Sequence, residues 1–300
     1  KKNKFKTLAK YLQDENFVTH ADTINTLVLP KTGFDDLIVH DELTDDLTQR
    51  HIELLNQADK YKKAGKKFFL YLHYSNIHTE IMQNVLKKYN NFSSEYFSNK
   101  EKNIQFYNKL FFDSDVYLGK ILQHYQNLNL DEDALLVVIS DHGISTGEKF
   151  GERGYGVFCY DYTLLSGAMF CHKNIKPIQI KNQVRSIDIL PTILELLSIN
   201  QDPAYEKIQG KSLVPLMNGK IESRIAFSQS GNPLSSSKPP KEPNVSAVRT
   251  DEWKFILNHY DNTEELYNLK TDPEENNNLV TKENKIVQDL RKILKNRLEL

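Results

Sequence analysis

The chain has 300 residues, enough for about two domains of roughly 150 residues each and for a core that needs no disulfide or metal staples. Lys and Arg number 39 and Asp and Glu number 40, giving a formal net charge of -1, which excludes a generic basic nucleic-acid binder. No apolar run approaches the ~20 residues that span a bilayer, so we expect no membrane segment in this chain. Its two cysteines, Cys159 and Cys171, cannot form a disulfide framework and are expected as small buried side chains.

The first half of the chain alternates predicted helices with predicted strands. In chain order these are a helix over 4–13, a strand over 17–21, a helix over 43–63, a strand over 68–72, a helix over 103–125 and a strand over 134–139. The strands over 68–72 and 134–139 are continuously apolar, which is typical of strands covered on both faces. The aromatic residues between Phe106 and Phe112 are expected on the core face of their helix and not on a base-stacking platform.

The second half predicts a buried strand over 164–171 and then a helix that Ser186 caps and that runs to about residue 198. A linker rich in Pro, Ser and Lys covers 231–244, and strands over 247–249 and 254–257 and a helix over 282–300 follow it. The alternation of strands and helices favours an α/β domain with a mostly parallel sheet over residues 1–222. The short strands predict a small antiparallel subdomain with a terminal helix over residues 223–300.

The strongest chemical signal follows the predicted strand over 134–139, where the chain reads Ser140-Asp141-His142-Gly143. In open α/β sheets, ligands bind at the carboxyl ends of the strands. Asp141 offers a hard oxygen and His142 a nitrogen, so together they could hold a divalent cation. The spacing alone leaves equally open that Asp141 caps the following turn and that His142 packs in the interior.

A second polar loop follows the predicted strand over 68–72 and contains His78. This histidine could bind an anionic substrate or act as general acid to a leaving oxygen. A lone loop histidine is more often an ordinary surface residue. His73 lies nearer the strand and is expected to be a packed histidine.

Six short motifs occur in one order along the chain. The first three are Phe69 to Glu80, which resembles a strand and loop ending in HTP, Asp113 to Leu122, which is similar to a D..LGK.L helix, and Ser140 to Gly143, which is similar to SDHG. The next two are Ile187 to Thr192, which is similar to vDlaPT, and Gly210 to Leu216, which is similar to GrSLlPL. The last is Arg249 to Glu274, which is similar to vRt..wKyi…eLYdL..DP.E. With these motifs the sequence resembles the sulfatase family of the alkaline-phosphatase superfamily, over nearly its whole length.

The resemblance implies an alkaline-phosphatase-like, doubly wound, mostly parallel sheet and the metal-dependent hydrolysis of a sulfuric ester by a metal-bound nucleophile. Carried over by position, Asp141 and His142 are metal ligands and His78 is the catalytic residue that contacts the sulfate or the leaving oxygen. Hard carboxylate ligands favour Ca²⁺, with Mn²⁺ or Zn²⁺ as alternatives. The expected partner is a small-molecule or glycan sulfate or phosphate ester, and neither a nucleic acid nor a membrane.

The chain departs from the family at its start. The family's opening strand with paired Asp ligands, and its nucleophile motif C/S-x-P-x-R, have no counterpart in the 300 residues. We interpret Asp35-Asp36, Asp45-Asp46 and the stretch Ser237 to Lys241 as imitations of these features. We therefore expect the chain to lack an N-terminal segment of about 60 residues, and we expect the chain alone to be inactive.

A second departure lies about fifteen residues after the SDHG-like motif, where many family members carry a Lys and this chain has Phe158. Lys149 or Arg153 could supply the missing substrate-binding cation, although a solvated charged loop is a competing interpretation. The tyrosines Tyr155, Tyr160 and Tyr162 are interpreted as core and rim residues at alternating strand positions, without a functional role.

Two other functions remain open. The first is a phosphodiesterase, phosphonate hydrolase or phosphoethanolamine transferase of the same superfamily, which would use Ser or Thr as nucleophile. The second is a degenerate fold kept for binding.

Overall fold

The computed structural model describes residues 4–86, 88, 94–152, 154–234 and 240–298. The helices of this part are α1 (Leu8–Asp14), α2 (Leu47–Lys63), α3 (Asn76–Ile81), α4 (Ser94–Phe97), α5 (Lys100–Asn127), α6 (Asp161–Leu164), α7 (Ile189–Leu196), α8 (Val214–Met217) and α9 (Asn284–Leu298). The strands are β1 (Val18–Thr23), β2 (Asp36–Val39), β3 (Phe68–Leu72), β4 (Leu136–Ile139), β5 (Ala168–Cys171), β6 (Ala226–Ser230), β7 (Val245–Arg249), β8 (Trp253–Asn258) and β9 (Thr263–Asn268).

The first sheet consists of three parallel strands in the order β2-β1-β3. His20 of β1 pairs with Asp36 of β2, and Val18 pairs with Phe68 of β3. Helices α2 and α5 pack together beside β3 and β4, and their buried core includes Leu55, Ile121 and Tyr125. Because the three strands are parallel, their carboxyl ends meet at one edge of the sheet, and residues that follow them in the chain are brought together there.

The strand expected over 164–171 is shorter and more exposed than predicted. β5 begins at Ala168, pairs antiparallel with β4, and leaves the side chain of Met169 43% exposed. Residues 161–164 form the helical turn α6 because Asp161 is held by charged groups of the C-terminal region. The prediction of one long buried strand was therefore wrong.

The C-terminal region is a four-stranded antiparallel sheet in the order β6-β7-β8-β9. Sequence patterns predicted β7 and β8 and missed β6 and β9. Helix α9 covers one face of this sheet, where Phe255 and Leu266 contact Leu294. The segment around Tyr160 covers the opposite face. A division of the chain after residue 222 stays a prediction, since residues on both sides of that point share this core.

Among the helices that begin later than predicted, α2 and α7 do so for identifiable local reasons. α2 begins at Leu47 because the Asp46 carboxylate accepts hydrogen bonds from the backbone N–H groups of Thr48 and Gln49, at 2.9 and 3.1 Å. Ser186 does not cap the later helix; it opens a 3-10 turn over 186–188 whose first residues are tied by Arg185 and Asp188. α7 then follows from Ile189 to Leu196.

Some exposures also differ from expectation. Cys159 is buried as predicted, but Cys171 is exposed, because β5 lies at the surface. Phe111 and Phe112 are exposed on α5 and do not belong to its core face. In the part of the chain that the structure describes, no helix is both long enough and apolar enough to cross a bilayer.

Candidate functional site

The side chains of Asp141 and His142 converge just after β4. The distance from Asp141 Oδ2 to His142 Nε2 is 3.5 Å, and the two side chains are 82% and 41% exposed. The other carboxylate oxygen accepts a hydrogen bond from the His142 backbone N–H at 2.8 Å, and His142 Nδ1–H donates to the carbonyl oxygen of Gly143 at 2.7 Å. This leaves a carboxylate oxygen and an imidazole lone pair on Nε2 close together and accessible, as metal ligands must be.

The turn that carries this pair is fixed by a close approach to α6. The backbone N–H of Gly143 donates to the carbonyl oxygen of Thr163 at 3.0 Å. A Cβ at position 143 would lie 2.2 Å from the carbonyl oxygen of Tyr162, so the position accepts only glycine without a backbone shift. Gly143 therefore holds Asp141 and His142 against α6.

His78 reaches the same place from a different strand. It lies on α3, shortly after β3, and is exposed. Its Nδ1 is 3.0 Å from the hydroxyl of Tyr155, and the two rings are nearly parallel with centroids 5.6 Å apart. The same Tyr155 ring contacts the His142 ring edge-on, with centroids 5.3 Å apart. The structure therefore joins His78 and His142 through one tyrosine.

Tyr155 was interpreted as a core or rim residue of a strand, without a functional role, and the strand assignment was wrong. Residues 155–160 form a loop and not a strand, so the three tyrosines do not share alternating positions. Burial, followed by the charges of Glu42 and Asp141, raises the pKa of Tyr155 to about 12. The hydroxyl of Tyr155 therefore stays protonated over the whole neutral pH range. Its contact with His78 could not be predicted from residue spacing in the sequence.

A buried polar layer lies at the carboxyl ends of β1, β2 and β3, next to α3. His40 Nδ1 is 2.8 Å from Asp22 Oδ1, and His40 Nε2 is 2.8 Å from the hydroxyl of Ser75, the residue before α3. Arg50 Nε donates to the other oxygen of Asp22 at 2.9 Å. These bonds fix the start of α3 and hence the position of His78.

His73 belongs to this layer and is a packed histidine, as expected. It is half-buried, and its Nδ1 lies 3.3 Å from the hydroxyl of Thr23. Burial, with a smaller contribution from His40, lowers the pKa of His73. No sequence pattern pointed to Asp22, His40 and Ser75, because only the parallel register brings residues so distant in the chain together.

Helix α6, which supports the Asp141 turn, is anchored to the C-terminal sheet by buried charges. The Asp161 carboxylate accepts hydrogen bonds from Arg249 Nη2 at 2.9 Å and from Lys254 Nζ at 2.8 Å. The fully buried Lys254 also pairs with Glu275 at 2.9 Å, and Glu275 accepts from the backbone N–H of Asp161 at 2.6 Å. The candidate site thus rests on the C-terminal region.

Of the two residues predicted to bind the substrate through their positive charge, Lys149 and Arg153, the structure describes only Lys149. The ammonium of Lys149 donates to the carbonyl oxygen of Glu275 and to the side chain of Asn276, and it lies over the rings of Tyr160 and Tyr267. Substrate binding by Lys149 stays a prediction that would require it to leave these partners. Arg153 lies outside the described residues. Phe158, in the position where many relatives carry Lys, packs against the core of the C-terminal sheet.

One carboxylate of each pair interpreted as an imitation, Asp35 and Asp46, has structural partners. Asp35 accepts hydrogen bonds from the backbone N–H and the hydroxyl of Thr19, at 2.9 and 3.1 Å. The backbone bond from Thr19, followed by a hydrogen bond from the Gln13 side chain, lowers the pKa of Asp35. Asp46 caps α2. The Ser237 stretch lies outside the described residues except for residues 240 and 241.

The pair fits part of a divalent-metal site and not a whole one. Among the described residues, no group of three or more His, Cys, Asp or Glu side chains is placed to hold a metal ion. Ca²⁺ takes six to eight oxygen ligands, and the pair offers one carboxylate and one imidazole nitrogen, so it could supply only a part of that set. The remaining positions would fall to water, to substrate oxygens or to groups beyond the described residues.

Curated relatives with sulfatase names match much of this chain. Arylsulfatase K of Gallus gallus is 29% identical over 204 residues, which cover 63% of this chain and 36% of the relative. Choline-sulfatase of Rhizobium meliloti is 25% identical over 185 residues, which cover 60% of this chain and 34% of the relative. The chain therefore matches only about a third of the length of these relatives.

Solved structures of sulfatases share the fold at low sequence identity. A 2-O GAG sulfatase superposes with a TM-score of 0.73 at 17% identity and covers 98% of this chain and 74% of its own. A protein solved with its substrate D-glucosamine-2-N,6-O-disulfate gives a TM-score of 0.67 at 16% identity and covers 99% of this chain and 82% of its own. These likenesses confirm the expected α/β, alkaline-phosphatase-like fold.

Two family models divide the chain between them. The model described as N-sulphoglucosamine sulphohydrolase, C-terminal, matches residues 168–300. The model described as Sulfatase matches residues 1–199, which include both loops of the candidate site. Since that match extends over more than half of the sequence, the chain belongs to the sulfatase family, as the order of its motifs predicted.

Proposed function

We propose that this chain carries the cation-binding and leaving-group side of an active site that hydrolyses sulfate esters. The observation that carries the proposal is the convergence of Asp141 Oδ2 and His142 Nε2 at 3.5 Å, with His78 joined to His142 through Tyr155. These groups come from different strand ends, so the fold and not the local sequence assembles them.

Each side chain has a distinct task in this proposal. Asp141 and His142 would hold a divalent cation, Ca²⁺ in the first place, with Mn²⁺ or Zn²⁺ as alternatives. When bound, such a cation supplies positive charge that stabilises the charge developing on the ester oxygens. His78 would bind the ester and give a proton or hydrogen bond to the leaving oxygen.

The substrate class follows from the same site and from the relatives. The exposed Asp141, His142 and His78 suit a substrate that enters from solvent, and the similar proteins are named for aryl, choline and glycosaminoglycan sulfates. We propose a small-molecule or glycan sulfate ester. A phosphate ester is the alternative, because position 158 holds Phe where many family members carry Lys.

Cation binding is tested on the 300-residue chain by calorimetric titration with CaCl₂, MnCl₂ and ZnCl₂. We expect binding of at least one cation that Asp141→Ala or His142→Ala weakens by tenfold or more. Asp289→Ala, which removes an exposed carboxylate on α9, is the matched control and should bind as wild type. Equal binding by wild type and Asp141→Ala, or no binding by wild type, would contradict the proposed cation site.

Hydrolysis is tested on the protein as its gene encodes it, with p-nitrophenyl sulfate, phenyl sulfate and bis(p-nitrophenyl) phosphate. We expect the sulfates to be preferred and His78→Gln to lower kcat by about 10²–10³-fold, as loss of one hydrogen-bond donor to a developing oxyanion does. The loss should be larger for phenyl sulfate, because its leaving oxygen is the more basic one and gains more from the hydrogen bond. Preference for the phosphate diester would favour the alternative, and turnover by the 300-residue chain alone would contradict its expected inactivity.

A further inference from the structure

We propose that Tyr155 is a positioning residue that fixes the tautomer of His78, so that Nε2 of His78 carries the proton and acts as a hydrogen-bond donor. The inference deepens the proposed function, on which its consequence for catalysis rests. The assignment of the tautomer itself depends only on the contacts of these two side chains.

The first step is the direction of the hydrogen bond between Tyr155 and His78. The hydroxyl oxygen lies 3.0 Å from Nδ1, a normal hydrogen-bond length. A phenol is neutral at pH 7, is a better donor than the N–H of a neutral imidazole, and is a poorer acceptor than an imidazole nitrogen. Tyr155 therefore donates to Nδ1, which must be unprotonated, and the single ring proton of neutral His78 is left on Nε2.

The second step is the contrast with His142, whose tautomer is the opposite one. Its Nδ1 lies 2.7 Å from the carbonyl oxygen of Gly143, which can only accept, so the proton is on Nδ1 and the lone pair is on Nε2. His142 thus offers an acceptor that suits a cation, and His78 offers a donor that suits an ester oxygen. The ring of Tyr155 contacts both imidazoles.

The third step is that the loop carrying Tyr155 is tied to its surroundings on the C-terminal side of this residue. The buried Glu152 accepts hydrogen bonds from the backbone N–H of Val157 at 2.6 Å and from the hydroxyl of Tyr162 at 2.8 Å, which closes the loop around Tyr155. Gly156 has a φ of +91°, and a Cβ there would lie 2.5 Å from the Thr163 hydroxyl oxygen. A loop held by such contacts suits a group that orients a catalytic residue.

The tautomer is measured by nuclear magnetic resonance on the 300-residue chain labelled with ¹⁵N-histidine, at a pH where the ring is neutral and with chelator present. His78→Gln and His142→Gln identify the two rings. We expect long-range ¹H–¹⁵N couplings to show the Nε2–H form for His78 and the Nδ1–H form for His142. In Tyr155→Phe, the Nδ1 resonance of His78 should move towards that of a mixture of tautomers, while the His142 form is kept.

Tyr11→Phe is the matched control, because it removes a tyrosine hydroxyl that bonds to the backbone of Asp202 and not to a histidine. It should leave the His78 resonances unchanged. The Nδ1–H form in wild-type His78, or Nδ1 resonances that do not respond to Tyr155→Phe, would overturn the inference. Since Phe keeps the ring, a purely packing role for Tyr155 predicts that unchanged result.

In the protein as encoded, Tyr155→Phe should lower kcat on phenyl sulfate by roughly two- to tenfold, the value of one hydrogen bond, with KM changed less. The two proposals fail in different ways. If no sulfate ester is hydrolysed but the resonances behave as expected, the proposed function fails and the assignment of Tyr155 stands. If His78→Gln abolishes turnover but Tyr155→Phe leaves the His78 ring unchanged, the inference about Tyr155 fails alone.

Discussion

Asp161 and Asp141 are carboxylates only twenty positions apart, yet the fold treats them in opposite ways. The side chain of Asp161 is 6% exposed and pairs with Arg249 and Lys254. The side chain of Asp141 is 82% exposed and contacts the backbone and ring of the adjacent His142. Where the chain itself supplies the cations, the carboxylate builds structure; where it does not, the carboxylate is available to a cation from solution.

The charges around Asp161 balance. Two acids, Asp161 and Glu275, face two bases, Arg249 and Lys254, and the backbone of Asp161 donates to Glu275. Burial works to raise the pKa of Asp161, but Lys254 and Arg249 overcome it and hold that pKa below its usual value. Burial raises the pKa of Glu275, against the pull of the same Lys254. Lys254 is therefore the group on which both carboxylates depend.

Removing Lys254 should have the largest effect on stability. Lys254→Met keeps most of the volume and leaves two buried carboxylates with one cation, so we expect a loss of about 4 kcal/mol in the free energy of unfolding, measured by urea denaturation. Lys270→Met, which breaks an exposed pair with Glu252, should change little. A Lys254→Met variant as stable as wild type would mean that the buried charges do not anchor α6.

Asp22 in the parallel sheet is a second buried carboxylate that can be compared with an exposed one. It is fully buried and hydrogen-bonded to His40 and Arg50. Asp22→Ala should cost about 3 kcal/mol, because it leaves buried donors without an acceptor. Asp36→Ala removes an exposed carboxylate of the neighbouring strand β2 and is the control. Equal stabilities of the two variants in urea denaturation would show that the buried layer is not what holds β1 and α3 together.

A smaller effect is expected from pH through His51, a fully buried histidine 3.6 Å from Asp22. Burial is the main cause that lowers the pKa of His51 from 6.5 to about 4. Between these two values the unfolded chain binds the proton more readily than the folded chain, so stability falls as the pH falls. We expect a loss of about 2 kcal/mol between pH 7 and pH 5.

The measurement is urea denaturation over that pH range, in wild type and in His51→Gln, which cannot titrate there. The variant is expected to be less stable at pH 7, so the quantity to compare is the slope against pH and not the absolute value. A wild-type slope that survives in His51→Gln would assign the pH dependence to another group, such as His73, whose pKa burial also lowers.

The sequence predicted those parts of the molecule that depend on local pattern. The apolar run before Asp141 and the run over 68–72 became β4 and β3, and the SDHG-like motif placed Asp141 and His142 correctly after a strand end. Patterns failed where distant groups decide the outcome. Residues 161–164 became α6 because Lys254 and Arg249, about ninety positions later, bind Asp161.

The same reason explains which site residues were missed. Asp22, His40 and Ser75 have no common spacing, and only the register of three parallel strands makes them neighbours. Tyr155 meets His78 across 77 positions, so its hydrogen bond left no trace in any local window. Sequence patterns could identify the site residues that follow strand ends, but not the residues that orient the side chains of those site residues.

Asp141 itself should give the smallest change in stability, and that small change is the sharpest test of the comparison. Because its side chain is 82% exposed, Asp141→Ala should alter the free energy of unfolding by less than about 0.5 kcal/mol without added metal. With a binding cation present at 100 times its Kd, wild type should gain about 2.7 kcal/mol and the variant should not. The measurement is urea denaturation of both proteins with and without the cation. A larger gain in the free energy of unfolding for wild type would distinguish Asp141 from Asp161, because Asp161 has its cations in the chain and Asp141 must take one from solution. A gain of equal size in both proteins would place the cation elsewhere and remove the distinction.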